Sequence, residues 1–408
     1  MKQPAKRKKT TARKAAKTSK AKTSKTKTGK TKTGKTKAAK KATPGRKATK
    51  SRPTAKPARD AVPPAGPVTL DEAKALANAQ RPKLAARAVA LEANPPASPA
   101  PLGAERKKRD QQWREERANR IRDYKATMSV MKRRGARRPR PQTARRTAKA
   151  AADTLAPKDG SFVPLQIFAE GDSWFDYPVP FFGGGIIPRL EGRLGVPILN
   201  LAKAGDEVRY MLGVEERAVL TEQLTNGCPA GGPWDVLLFS GGGNDIVDNP
   251  MALWINDWDP ALPPAGLIHQ TRFAAALELV RAGYEDLITL RDRLGPDTRL
   301  VFQGYDFALP DGRGICGMGP WLKPTFDLRK FPAGPAAQQV VRTLLQQFAA
   351  MLQSLTKRPK VTFINGQGTL PPNKSSWHNE LHPTRAGFES FADLFHLELR
   401  KLYPDRVA

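Results

Sequence analysis

Cysteine is scarce in this chain of 408 residues, which contains only Cys228 and Cys316. Two cysteines are too few for the disulfide framework that holds many secreted domains together. The simpler interpretation is a reducing compartment with two isolated thiols. We therefore expect a cytoplasmic protein.

Long apolar runs are missing as well. Nowhere do about 18 apolar residues follow one another, which is the length that a membrane-spanning helix needs. The N-terminus is positively charged, but no apolar segment of the kind found in secretory signals follows it. We expect neither a transmembrane segment nor a secretory signal.

Acidic residues are almost absent from the first part of the chain. Residues 1–60 contain 24 Lys and Arg against one acid, Asp60, which gives a net charge of +23. Residues 61–160 carry +13 and residues 161–408 carry −4. The charge predicts three parts: a disordered Lys/Thr/Ala-rich basic tail over 1–60, a Pro-rich and basic helical linker region over 61–160, and a globular domain over 161–408.

The basic tail resembles linker-histone tails in composition. Clustered lysines predict sequence-independent contact with nucleic acid or another polyanion, because they displace condensed counterions from phosphates. No aromatic residue occurs in the first 100 residues, so the tail has no platform on which single-stranded bases could stack. The alternative is a solvated tail with no dedicated partner.

Two helical patterns lie in the linker region, from Leu70 to Ala93 and from about Ala104 to Arg134. The second carries a thin apolar stripe whose members step by three, four and three residues, the spacing of one helical face. These members are Ile121, Tyr124, Met128 and Met131. The stripe is compatible with docking on the globular domain, with self-association or with a charged spacer helix.

Strand and helix patterns alternate in the globular domain. This alternation predicts parallel strands joined by helical crossovers, and hence a three-layer α/β/α sandwich. The predicted strands are Leu165 to Ala169, Pro197 to Leu201, Val236 to Ser240, Leu300 to Gln303 and Val361 to Ile364. The predicted helices are Pro188 to Leu194, Val208 to Leu224, Thr271 to Leu294, Gly334 to Leu355 and Arg385 to Leu402.

The first of these strands runs into a glycine turn that delivers Ser173 above the edge of the sheet. Gly171 permits a sharp turn there, and open α/β sheets bind their ligands at this edge. Ser173 is therefore the candidate nucleophile. Phe175, Tyr177, Phe181, Phe182 and the segment from Tyr305 to Trp321 are expected to line or roof the pocket.

Four stretches resemble the signature blocks of the SGNH, or GDSL-type, hydrolase family, and they occur in the family's order. They are GDSW at Gly171 to Trp174, NLAKAGDE at Asn200 to Glu207, GGGND at Gly241 to Asp245 and ELHPT at Glu380 to Thr384. The resemblance covers roughly residues 163–402. It implies a flavodoxin-like five-stranded parallel sheet of order 2-1-3-4-5, with an esterase or lipase site at the carboxyl ends of the strands.

The resemblance also implies roles for individual residues. Ser173 matches the nucleophile, His382 the general base, and Gly205 and Asn244 the oxyanion hole. Acyl transfer needs these parts, since the high pKa of a serine hydroxyl leaves it neutral and it requires a neighbouring base. Taken singly, Gly205 is compatible with a simple turn, and Asn244 with a helix cap.

The family's acid is absent from its usual place. It stands three residues before the histidine, and that position is Asn379 here. Three alternatives remain: Asn379 orients His382, the nearby Glu380 replaces the aspartate, or the site works as a Ser-His dyad. We expect a helper role in catalysis for both Asn379 and Glu380. His378 and His382 do not have the order of a zinc-protease helix, and Pro383 disfavours helical geometry there, so we expect no metal and no cofactor.

The sequence thus predicts a serine hydrolase that cleaves a small carboxylic ester through an acyl-enzyme, with a basic tail that tethers it to polyanions. Activity should rise with pH as His382 loses its proton. The alternative is a polyanion-binding protein whose hydrolase-like domain is inactive, which Asn379 and the net charge of +36 over the first 160 residues would favour.

Overall fold

The structure is a computed structural model that describes residues 66–80, 102–137, 161–177, 184–315 and 317–407. The side chains of residues 102–106 and 161 are not described. The predicted tail over 1–60, the pair Phe181 and Phe182, and Cys316 lie outside the described residues. All described residues belong to one compact unit, residues 63–408.

The chain before the main sheet forms two helices and a small antiparallel pair of strands. The elements are α1 (Leu70–Ala79), α2 (Leu102–Arg134), β1 (Ala136–Arg137) and β2 (Ser161–Phe162). Helix α1 starts at a capping box between Thr69 and Glu72. It ends at Ala79, earlier than the predicted Ala93. The residue before Pro82 disfavours helical geometry, which explains the early end. Residues 81–93 of the predicted helix lie outside the described residues.

Five parallel strands form the central sheet. They are β3 (Ile167–Gly171), β4 (Ile198–Asn200), β5 (Val236–Ser240), β6 (Arg299–Gln303) and β7 (Val361–Ile364). Their order is β4-β3-β5-β6-β7, which is the predicted 2-1-3-4-5 order. The predicted fold class is confirmed.

Strand β3 runs two residues further than predicted. Gly171 pairs with Ser240, and a Cβ atom at Gly171 would lie 2.6 Å from the Ser240 carbonyl oxygen. Only glycine fits there. With Gly171 as its last residue, the strand ends two positions before Ser173.

Helices cover both faces of the sheet. They are α3 (Ile186–Leu194), α4 (Val208–Met211), α5 (Val214–Asn226), α6 (Gly243–Ile246), α7 (Gln270–Leu294), α8 (Lys323–Leu328), α9 (Pro335–Leu355) and α10 (Arg385–Leu402), with 3₁₀ turns at Asn249–Leu253 and Pro264–Leu267. Helices α3 and α10 pack together, and α7 packs on α4, α5 and α9. The single helix predicted from Val208 to Leu224 is two, because Gly213 is extended (φ −71°, ψ 173°) between them.

Helix α2 docks on the domain. Tyr124, Met128 and Met131 of the predicted stripe are buried, and Ile121 is partly buried against the same core. The rings of Tyr124 and Trp234, just before β5, lie 5.4 Å apart. Of the three alternatives for the stripe, docking is the one the structure shows. Among the described helices, none is long and apolar enough to cross a membrane.

Candidate active site

Three of the motif loops meet at one edge of the sheet because they follow the neighbouring strands β3, β4 and β5. Ser173 comes after β3, Gly205 after β4 and Asn244 after β5. Parallel strands end at the same edge, so the topology alone brings the three residues into one region.

Ser173 stands in a tight turn. The backbone N–H groups of Phe175 and Asp176 both donate to the Asp172 carbonyl oxygen, at 3.1 and 3.0 Å. The buried Asp172 carboxylate accepts from the Trp174 N–H and the Ser240 hydroxyl, each at 3.0 Å, and from the Tyr305 hydroxyl. Burial raises the pKa of Asp172 to about 6, against the effect of these donors. These hydrogen bonds of Asp172 fix the conformation of the turn that carries Ser173.

His382 reaches the serine across the sheet edge. Its Nε2 lies 2.6 Å from Ser173 Oγ, and its Nδ1 lies 3.0 Å from Asn379 Oδ1. An amide oxygen only accepts, so the proton sits on Nδ1 and leaves Nε2 free to accept from the serine. This is the tautomer that a general base requires.

Asn379 occupies the place of the family's aspartate and is fully buried. Its Oδ1 also accepts from the backbone N–H groups of Leu381 and His382, both at 2.9 Å. Its Nδ2 donates to the Tyr177 hydroxyl at 3.2 Å, which fixes the orientation of the amide. Asn379 is therefore held as a neutral acceptor for the imidazole.

Tyr177 supports the histidine in a second way. Its ring stacks on the His382 ring, with centroids 4.5 Å apart and planes at 28°. Its hydroxyl lies 2.9 Å from Nδ1 of His378. The sequence offered Tyr177 only as a pocket aromatic, since nothing in its spacing reveals a partner some 200 residues away. His378 and His382 thus face different partners, and in the described part of the chain no group of three His, Cys, Asp or Glu side chains is arranged to hold a metal ion.

The surroundings of His382 keep it neutral. Burial, together with a smaller effect of the nearby His378, lowers the pKa of His382 to about 3. A buried carboxylate would oppose this shift, but Asn379 carries no charge. The imidazole is therefore in its neutral form well below neutral pH, and only this form can accept the serine proton.

Glu380 does not lie on the imidazole. Its fully buried carboxylate accepts four backbone N–H groups, those of Gly312 (2.8 Å), Trp321 (2.6 Å), Leu322 (2.7 Å) and Lys323 (3.0 Å). This corrects the alternative in which Glu380 replaces the aspartate, and the helper role expected for Glu380 at the histidine, because its carboxylate binds backbone donors of residues 312–323 and Asn379 binds the imidazole. Glu380 holds the predicted roof segment instead.

The two residues expected in the oxyanion hole lie on neighbouring loops. Asn244 lines the cavity beside Ser173, and its Nδ2 donates to the Asp206 carbonyl oxygen at 2.8 Å. Gly205 has φ +82° and stands in the turn that the Asp206 N–H closes on the Lys203 carbonyl oxygen. It does not line the cavity. The bond from Asn244 joins the two loops.

The cavity beside Ser173 is small and apolar, with a volume of about 40 Å³. Ser173, His382 and Asn244 stand at its polar side. Phe175, predicted to line the pocket, instead packs in the core against Phe395. The apolar walls come from the chain after β5, from the roof segment and from α9; they include Ile246, Val247, Met251, Ala308, Leu322, Val341, Leu344 and Leu345.

The profile of the GDSL-like Lipase/Acylhydrolase family matches residues 169–389. None of the curated proteins is similar enough to count as a match. Among solved structures, the chain is similar to a lipase from a goat rumen metagenome (17% identity, 57% of this chain and 96% of that one, TM-score 0.38). It is also similar to an extracellular lipase from Streptomyces rimosus (14%, 57% and 99%, TM-score 0.39) and to a family 3 carbohydrate esterase from Talaromyces cellulolyticus (10%, 59% and 99%, TM-score 0.35).

Proposed function

Because the chain belongs to the GDSL-like lipase/acylhydrolase family, we propose that it is a serine hydrolase that cleaves a carboxylic ester through an acyl-enzyme on Ser173. The observation that carries this proposal is the 2.6 Å contact between Ser173 Oγ and His382 Nε2. A nucleophile and base within hydrogen-bond reach, with the base oriented by a third group, is the arrangement that acyl transfer needs.

In the first step, Ser173 Oγ forms a bond to the ester carbonyl carbon while His382 Nε2 takes the hydroxyl proton. The carbonyl electron pair moves onto its oxygen. When the tetrahedral intermediate collapses, the bond to the alkoxide breaks and the imidazolium returns the proton to that leaving group. Water then repeats the sequence on the acyl-enzyme, and a carboxylic acid and free Ser173 result.

We assign the developing oxyanion to the Asn244 amide and to the backbone N–H groups of Ser173 and Gly205. Such donors act on charge that appears only in the transition state, and removal of one typically costs about 10²–10³ in turnover. Asn244 lines the same cavity as Ser173 and His382.

Asn379 completes this site without a carboxylate. Its Oδ1 accepts the Nδ1 proton of His382 in both protonation states, but a neutral amide stabilises the transient imidazolium less than a carboxylate would. The site therefore orients its base well and stabilises the base's charged form weakly.

For the substrate we propose an ester with a small apolar acyl group. The walls of the cavity beside Ser173 are mostly apolar, with aliphatic side chains and the rings of Trp174 and Tyr305, and its volume is about 40 Å³. An apolar acyl group is favourably transferred into such walls, whereas a polar one would lose its hydration without a partner.

The test is hydrolysis of a short-chain nitrophenyl ester by the full chain, compared with Ser173→Ala and with the exposed control Ser375→Ala. We expect Ser173→Ala to lose at least about 10³-fold in turnover and Ser375→Ala to match the wild type. A fluorophosphonate should also phosphonylate Ser173 with loss of fluoride. Turnover that survives Ser173→Ala would contradict the proposal, and a wild type that neither turns over nor reacts would favour the inactive alternative.

We further propose that the basic residues 1–60 tether the enzyme to polyanions such as nucleic acid, and that the protein is cytoplasmic. The support is the charge of +23 in that segment and the low cysteine content.

A further inference from the structure

Helix α2 lies outside the stretch that matches the family, yet one of its side chains reaches two loops of the candidate active site. We propose that Arg120 is a positioning residue of the hydrolase, which sets the separation between the nucleophile turn and the loop that carries Gly205. The proposal rests on the roles of Ser173 and Gly205 given above.

The contacts of Arg120 divide between the two loops. Its Nη1 donates to the carbonyl oxygens of Asn200 and Ala202, at 3.2 and 3.0 Å. Its Nη2 donates to Asp176 Oδ2 at 3.0 Å. A planar guanidinium holds several donors in a fixed fork that suits acceptors on both loops at once, whereas the three donors of a lysine share one ammonium nitrogen.

The partners of Arg120 are close to the reacting groups along the chain. Asp176 belongs to the turn around Ser173, since its N–H donates to the Asp172 carbonyl oxygen at 3.0 Å. Ala202 leads into the turn that contains Gly205. A shift of either partner would therefore move the nucleophile relative to the oxyanion donors.

A second bridge joins the same two loops and depends on the same geometry. The Asn200 side chain donates from Nδ2 to the Phe175 carbonyl oxygen at 3.3 Å and accepts from the Ala202 N–H at 3.1 Å. Arg120 thus adds to a contact that the Asn200 side chain already makes between the two loops. Without Arg120, the Asn200 amide bond and the backbone bond from the Lys203 N–H to the Gly171 carbonyl oxygen, at 2.9 Å, would remain, and neither holds Asp176.

Burial makes the guanidinium hard to replace by water. The side chains of Arg120 and Asp176 are 22% and 26% exposed. Burial raises the pKa of Asp176 and Arg120 opposes that shift, so removal of the cation would leave the carboxylate less stable as an anion. Glu116 and the Trp113 ring, whose centroid lies 5.2 Å from the guanidinium carbon, hold Arg120 from the helix side.

The same helix offers a matched control. Arg117, one turn before, forms an ion pair with Glu216 of α5, and both side chains are well buried at 13% and 15% exposure. This pair anchors α2 to the domain without contacting either active-site loop. A substitution at Arg117 should therefore loosen the helix and leave the loops in register.

The experiment measures kcat, KM and thermal unfolding of the full chain with Arg120→Ala, Arg120→Lys and Arg117→Ala. We expect Arg120→Ala to lower kcat by about 10- to 100-fold with KM within about twofold, because misplacement affects the transition state more than ground-state binding. Arg120→Lys should recover only part of the loss, and guanidinium ion at subdenaturing concentration should raise the turnover of Arg120→Ala. Arg117→Ala should unfold at a lower temperature but keep kcat within about twofold.

Wild-type kcat in Arg120→Ala would overturn the proposal, as would an equal loss of kcat in Arg117→Ala, which would reduce the role of Arg120 to helix docking. Failure of the proposed function is distinguishable, since it would appear as absent turnover in the wild type measured alongside. The rate of fluorophosphonate labelling of Ser173 gives the same comparison without an ester, and an unchanged rate in Arg120→Ala would also overturn the assignment.

Discussion

Asn379 changes the acid–base character of the site more than its geometry. An aspartate at this position would place a negative charge beside the imidazole and raise the pKa of His382. With the neutral amide, burial dominates and the pKa of His382 falls to about 3. A base with this pKa is neutral over the whole physiological range, so the expected rise of activity with pH moves to a more acidic range than the sequence suggested.

The substitution Asn379→Asp tests this directly. A histidine base works when neutral, so activity falls as the pH drops through the pKa of His382. In the wild type that loss should begin only below about pH 4, whereas the carboxylate in Asn379→Asp should move it up by about 1–3 units. The measurement is kcat/KM from pH 3 to 8 for both proteins. An acidic limb at the same pH in both would contradict the role assigned to His382.

Motifs predicted the candidate nucleophile and base, but the contacts of the residues around them could not be predicted from the sequence. Ser173 and His382 stand in recognisable blocks, and the structure brings them into contact. Tyr177 gave no comparable signal, because its value lies in a stacking contact with a ring far along the chain. The sequence also could not decide whether Asn379 or Glu380 contacts His382, since the directions of adjacent side chains depend on the folded backbone.

At the scale of elements, the segment from Tyr305 to Trp321 is held by one carboxylate. Four N–H groups converge on Glu380, one from Gly312 in the middle of this segment and three from its last residue, Trp321, and the two residues that follow. Leu322 lines the cavity, and the Trp321 ring lies 6.0 Å from the His382 ring, edge to face. Glu380 therefore couples the roof of the cavity to the chain that carries His382.

We predict that Glu380→Gln lowers both stability and turnover. The carboxamide keeps one acceptor oxygen but turns its own N–H groups toward backbone donors, and each buried N–H that loses its partner costs about 1–3 kcal/mol. The unfolding temperature should fall by at least about 4 °C and kcat/KM by about 10-fold or more. The surface variant Glu398→Gln, whose partner is the exposed Lys401, should do neither. Wild-type stability and turnover in Glu380→Gln would sink this account.

The strands and most helices were predictable because buried strands and amphipathic helices have regular apolar periods. The break at Gly213 was not, since a single glycine inside a helical pattern is usually tolerated. The docking of α2 was undetermined for a different reason. Its thin stripe is equally compatible with docking, with self-association and with a charged spacer helix. The acidic residues that pair with its arginines lie about a hundred positions further along the chain.

At the scale of the whole molecule, charge and catalysis belong to different parts of the chain. Residues 1–60 carry +23, and residues 161–408 carry −4. Helix α2 belongs functionally with the latter if Arg120 has the role proposed above. The dividing point for a separation experiment is therefore near residue 60, before α1, rather than near residue 160.

Deletion of residues 1–60 should leave ester turnover within about twofold and remove most affinity for nucleic acid. Binding by the full chain should not depend on sequence, and it should weaken about 10³-fold or more between 50 and 200 mM salt if about six phosphates are engaged. Band shifts with two unrelated duplexes across this salt range measure both properties. Tight binding by the truncated protein, or preference for one duplex, would place recognition elsewhere.

The pairing of β1 with β2 has a consequence for how this chain can vary in length. Arg137 pairs with Ser161, so the residues between them join two neighbouring points of the domain. The entropy of closing such a loop depends only logarithmically on its length, and each halving or doubling changes the free energy by about 0.6 kcal/mol. Insertions and deletions between these two strands are therefore nearly neutral for folding, and this is the place where the protein can gain or lose sequence without disturbing its chemistry.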